Sequence, residues 1–160
     1  MIKINIIAVG KLKEKYLRDA CEEYKKRLSA YAKVNIIEIE EYRCSDSPSP
    51  AEIERVKEKE GEAISAKIPK GSYIIPMCIE GKELSSEEIA EKLEGVTVQG
   101  FGEITFIIGG SFGISDKVKS LGNLRLSFGK ITLPHQLMRV ITLEQIYRAL
   151  SILNNSKYHK

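Results

Sequence analysis

At 160 residues, 42% hydrophobic and 29% charged, with a formal net charge of +3, the chain has the size and make-up of one ordinary globular domain. No apolar run approaches the ~18 residues of a membrane span and the amino terminus lacks a signal-peptide pattern, so the chain reads as cytoplasmic, without a membrane partner. Cys21, Cys44 and Cys78 lie far apart with no C-x-x-C pair, and only His135 and His159 supply imidazoles, which argues against a disulfide framework and against any metal site.

From the amino terminus, Ile2 to Val9 alternates and then runs apolar before Gly10, the pattern of a first strand. A helix follows the Lys11 to Lys15 run, with Leu17, Cys21, Tyr24, Leu28 and Tyr31 recurring every three or four residues on one face. Val34 to Ile39 reads as a second strand. Cys44 to Pro50 is a loop by composition, since its two prolines suit no central strand. Ala51 to Lys67 predicts a helix turning Ile53, Val56, Ile64 and Ile68 inward and Glu/Lys pairs outward, with Gly61 interrupting it at a cost of ~1 kcal/mol. Tyr73 to Ile79 is a third buried strand. Pro76 donates no ladder hydrogen bond there, so an edge position or a bulge is expected, and a distortion facing a ligand accounts for it as well. Ser85 followed by Glu88 has the form of a capping box that opens the next helix.

Ile104 to Ile108 is apolar and β-branched, a fully buried strand that breaks at Gly109-Gly110-Ser111-Phe112-Gly113. Ser115 is an N-cap for a short polar helix, and Leu124 to Phe128 forms a last strand ending on Gly129. These two neighbouring strands would set both glycine loops at the carboxyl edge of a parallel sheet, where ligands of open α/β sheets bind. Glycines that merely turn the chain are the plainer alternative. The alternation of strand and helix, five times over, predicts an α/β sandwich with a largely parallel sheet.

The final helix, from Pro134 to about Leu153, carries apolar residues around nearly its whole circumference and so predicts burial on more than one side, with a partner subunit as one source of cover. At ~100° per residue His135 and Arg139 share one side, while Glu144 and Arg148 form an i, i+4 pair on the other. Interface ion pairs and a functional pocket both explain charges on so apolar a helix. Charge is also unevenly spread. Residues 1 to 33 hold nine bases against four acids, residues 38 to 62 nine acids against four bases, and residues 117 to 160 eight bases against Glu144 alone. A basic carboxyl-terminal third is the footprint of a polyanion partner such as nucleic acid, or of a positive face kept for solubility.

Ile107-Ile108-Gly109-Gly110-Ser111, the run from Leu126 to His135, and Tyr158-His159-Lys160 strongly resemble the RlmH family of ribosomal RNA methyltransferases, within the SPOUT superfamily. The resemblance extends to Ala8 to Lys13 and to Lys57 to Gly61, and covers nearly the entire chain. It implies an α/β fold with a carboxyl-terminal trefoil knot, a homodimer, and S-adenosylmethionine as methyl donor. The implied reaction is methylation at N3 of pseudouridine 1915, in helix 69 of the 23S rRNA of the large subunit, on assembled ribosomes. Carried over by position, the cofactor site comprises Met77, Gly109 and the loop Phe128, Gly129, Lys130, Ile131, Thr132 and Leu133. The chain departs from many relatives at Phe112, where a polar residue is common, and at Met77, where leucine is more usual.

The imide nitrogen of a uridine base carries a proton that must leave before or during attack. His159, with an unperturbed pKa of roughly 6.5, is the candidate base, and Tyr158 the residue to stack on or hydrogen-bond the target base. Arg139, Arg148 and Lys157 are the candidate rRNA contacts, helped by Lys11, Lys13 and Lys15. For the two arginines an interface ion pair with Glu144 is the competing reading. A non-catalytic ribosome-binding protein is the second functional hypothesis. A nucleotide-binding α/β protein is a weaker third, because the loops lack the G-x-x-x-x-G-K-[ST] phosphate cradle.

Overall fold

The computed structural model describes residues 1–160. Five strands, β1 (Ile2–Val9), β2 (Ala32–Ile39), β3 (Tyr73–Glu83), β4 (Glu103–Ile108) and β5 (Leu126–Ser127), alternate with five helices, α1 (Lys15–Leu28), α2 (Pro50–Lys67), α3 (Ser86–Val98), α4 (Asp116–Ser120) and α5 (His135–Leu153). The sheet has the order β2-β1-β4-β3-β5 and every pairing is parallel.

Side chains alternate between the two faces of each strand, and the helices sort accordingly. Ile4, Ile6, Ile104, Phe106, Tyr73 and Ile75 pack with Leu17, Cys21 and Leu28 of α1, Leu93 of α3, and Leu143, Ile146, Ala149 and Leu150 of α5. Ile7, Val9, Ile39 and Ile107 meet Ile64 of α2 and Val118 of α4 in a smaller second cluster. The helix starts follow local chemistry: the Ser49–Glu52 and Ser85–Glu88 capping boxes open α2 and α3, and the Ser115 hydroxyl accepts from the Val118 amide to cap α4.

Three expectations change on contact with the fold. The glycine-ended strands β4 and β5 are not neighbours, because β3 lies between them, although both still end at the carboxyl edge. β5 shrinks to two residues, since the Asn123 and Leu124 amides bond the Ile74 carbonyl rather than extending a ladder. Glu60, expected on the outer face of α2, is buried at 4% exposure. Pro76 sits inside the sheet, not at its edge. It closes the β3–β4 pairing, and the register then shifts between Met77 and Lys82, so the strand bulges where proline withholds its donor.

Candidate functional site

The carboxyl edge of the sheet opens into a cavity of about 870 Å³, within the range of small-molecule sites. Its walls come from the β3 bulge at Met77, Cys78, Ile79 and Glu80, the turn from Gly109 to Gly113 after β4, Lys119 of α4, the segment Leu126 to Gly129, and residues 131–136 with Met138 leading into and along α5. Both glycine loops therefore face one hollow, despite the strand between them. Of the expected cofactor residues Met77, Gly109, Phe128, Gly129, Ile131, Thr132 and Leu133 all stand on this wall. Lys130 does not; it is exposed.

Two glycines are dictated by shape. A Cβ on Gly109 would lie 2.7 Å from the Gly113 carbonyl carbon, so the turn folds back on itself too closely for any side chain. Gly129 has φ +118°, a backbone state that side chains disfavour. The Ser127 hydroxyl accepts from the Gly129 amide at 3.1 Å and donates to the Ile79 carbonyl at 2.8 Å, tying the second loop to the β3 wall. Behind the first loop, Glu60 Oε2 accepts from the Tyr42 amide at 3.1 Å, while Oε1 has no partner and faces Gly110. Burial pushes the Glu60 carboxyl up from its ordinary value. His135 lines the cavity, and burial, opposed by the Glu41 charge and aided by a smaller effect of Arg139, lowers its pKa, so the imidazole is mostly neutral at neutral pH.

The carboxyl-terminal residues lie elsewhere in this chain. Tyr158 packs edge-on against Tyr147 at 4.7 Å, and its hydroxyl donates to Glu144 at 3.2 Å. His159 sits between Glu87 (Nε2 to Oε1, 2.6 Å) and Arg148 (Nδ1 to Nη1, 3.1 Å). None of these residues lines the cavity. They dock on the side of α5 turned away from His135, as the ~100° advance per residue requires of Glu144 and Arg148.

The sequence matches the family described as Predicted SPOUT methyltransferase over residues 2–159. The chain belongs to that family. A Streptococcus gordonii protein named Ribosomal RNA large subunit methyltransferase H is 50% identical over 159 residues, which cover 99% of this chain and all of that protein. A Listeria monocytogenes protein of the same name is also 50% identical with the same coverage. The fold resembles a probable methylase family protein from Haemophilus influenzae (TM-score 0.53, 14% identity, 99% of this chain and 70% of that one). It also resembles the tRNA (m1G37) methyltransferase of Aquifex aeolicus (TM-score 0.51, 12% identity, 92% and 69%).

Within this SPOUT fold the arginines find intrachain partners. Arg139, 3% exposed, donates from Nη1 to Glu38 at 2.7 Å and from Nη2 to the Gly10 carbonyl at 3.1 Å, so it holds β1, β2 and α5 together. Its partner is not Glu144, and its burial leaves no side chain to offer to RNA from this chain. The Arg148–Glu144 pair does form, at 2.7 Å, but along one helix and not across an interface. Lys157, Lys11, Lys13 and Lys15 are exposed, with Lys15 paired to Asp19. Sequence reasoning missed His135, Glu80 and Lys119 as wall residues. His135 was quoted in a motif, yet only the return of the chain from β5 to the end of β1 brings it beside the glycine turn.

Proposed function

We propose that this chain methylates large-subunit ribosomal RNA at N3 of a pseudouridine in helix 69, in the cytoplasm, as a homodimer with a carboxyl-terminal trefoil knot, using S-adenosylmethionine. The observation that carries the cofactor assignment is the single cavity where two glycine turns and the β3 bulge converge. Its residues fit such a ligand: Met77, Ile79, Phe128, Ile131 and Leu133 give apolar walls for a purine, and the glycine turns bring backbone close enough to bond its edges. Bound there, S-adenosylmethionine supplies an electrophilic methyl group. The names of the half-identical, full-length relatives support ribosomal RNA as the acceptor.

The protein's part is to orient the acceptor, exclude water and take one proton. His159 accepts that proton from N3 and Tyr158 stacks on the base, both delivered by the tail of the partner copy, since the tail docks away from the cavity of its own chain. In the docked pose Arg148 donates to Nδ1 and the Nε2 hydrogen points at Glu87, so neither ring nitrogen keeps a free lone pair. Acting as a base therefore requires Arg148 to let go of Nδ1, which leaves Arg148 still paired with Glu144, and the exposed Lys157 is the residue open to phosphate.

A second reading rests on His135, a mostly neutral imidazole on the cavity wall that accepts the proton without any partner tail. Single-turnover methylation of ribosomes separates the two. His159→Ala and a chain lacking residues 158–160 should slow transfer at least a hundredfold with cofactor binding intact. Near-normal rates in both, with a comparable loss in His135→Ala, would move the base to His135. Absence of the methyl mark in mass mapping of ribosomal RNA after incubation with wild-type protein and cofactor would refute the enzymatic reading itself.

A further inference from the structure

The cavity wall carries only two formally charged side chains, and they stand together. Glu80 on the β3 bulge and Lys119 on α4 form an ion pair, with the lysine side chain 15% exposed and the glutamate 56%. The bond from Lys119 holds the Glu80 carboxyl below its ordinary range, so it is a carboxylate at neutral pH. The Cys78 thiol is pushed up by burial and stays neutral, as His135 mostly does. Everything else on the wall is apolar, hydroxyl, amide or glycine backbone.

S-adenosylmethionine presents a matching pattern. Its adenine and ribose are uncharged, while its amino-acid head places one carboxylate beside one ammonium. We propose that the Glu80–Lys119 pair is the receptor for that head, with Glu80 facing the ammonium and Lys119 the carboxylate, so that four charges alternate in sign. The proposal rests on the cofactor reading above and extends it to two residues from different elements. It also has a kinetic signature. The head group keeps its charges throughout methyl transfer, so the pair holds substrate, transition state and product equally, and its loss appears in KM for the cofactor and not in kcat.

The test is calorimetric titration of wild type, Lys119→Met, Lys119→Arg and Glu80→Gln with two ligands, S-adenosylhomocysteine and methylthioadenosine, which shares the adenosine and thioether but lacks the amino-acid head. Lys119→Met and Glu80→Gln should each weaken S-adenosylhomocysteine about tenfold, a loss of one charge-assisted contact. Methylthioadenosine should bind all four proteins alike, and Lys119→Arg should recover most of the affinity. Equal losses for both ligands would assign the pair to the adenosine instead and overturn the proposal, as would no loss for either. Wild-type protein that binds neither ligand would overturn the cofactor reading and this proposal with it. Should Lys119→Met fail to fold, Glu80→Gln, at a half-exposed carboxylate, decides alone.

Discussion

Gly61 shows how a residue's neighbours can reverse its intrinsic preference. In the middle of a helix, glycine to alanine normally stabilises by about 0.5–1 kcal/mol. A Cβ on Gly61, however, would lie 2.7 Å from Ser115 Oγ and 3.2 Å from a Val118 methyl, both at the start of α4. Gly61→Ala should therefore lower the thermal midpoint, whereas Gly95→Ala in α3, with nothing within 4 Å of the added carbon, should raise it. Beside Gly61, Glu60 carries a buried carboxyl with one unpartnered oxygen and a raised pKa. A raised carboxyl pKa means that the folded state binds the proton more tightly than the unfolded one. Stability is then lost as pH rises from the ordinary glutamate value of about 4.3 through the raised one. Glu60→Gln keeps the bond from the Tyr42 amide and removes this dependence. Chemical denaturation should show its advantage over wild type growing with pH through that window and levelling off below it. The sequence made Gly61 look like a defect and Glu60 like a solvent-facing charge, because periodicity along one helix holds no record of what packs across it.

Elements whose cause is local were legible from the chain alone. The Ser85–Glu88 capping box, the N-cap at Ser115 and the bounds of β1 follow from residues a few positions apart, whereas the equally local Ser49–Glu52 box escapes a reading of Cys44 to Pro50 as loop. The same holds for the glycine turn after β4, and the disturbance at Pro76 was likewise visible, though not its interior position. What escaped was set by partners distant in sequence. Arg139 meets Glu38 from 101 positions away, and no spacing rule on α5 points there. β5 kept only two of five expected residues because the amides before it bond the Ile74 carbonyl. Arg139→Met should destabilise the protein by about 3 kcal/mol in equilibrium unfolding, at the lower end for a broken buried pair because Glu38 remains partly in water. Thermal or denaturant unfolding near wild type would show that the pair contributes little to joining α5 to the sheet.

At the scale of the molecule, the basic and acidic thirds of the sequence do not lie as separate patches. Acidic Glu38 and Glu41 approach Gly10 at the end of β1, whose chain neighbour is the exposed Lys11, and lie near Ser111 and His135 of the cavity wall. Phosphate contacts should come from Lys11, Lys13, Lys15 and Lys157, and not from Arg139, which is buried on Glu38, or from Arg148 while it holds Glu144. Measured against salt, ribosome affinity should fall steeply. Lys13→Gln should reduce the slope by about one, while Arg139→Gln should leave the slope unaltered. A slope that responds to Arg139 instead would mean that the helix rearranges on the ribosome. No helix is long and apolar enough to cross a membrane. α5 closes one face of the core through Leu143, Ile146, Ala149 and Leu150, and its first turn also borders the cavity. During translation, then, the patch of the core that α5 covers beside α1 and α3 stays bare until that helix has emerged, after every strand has been made. A chain that stops before α5 leaves that patch open to water and should be digested faster than the 160-residue chain in limited proteolysis.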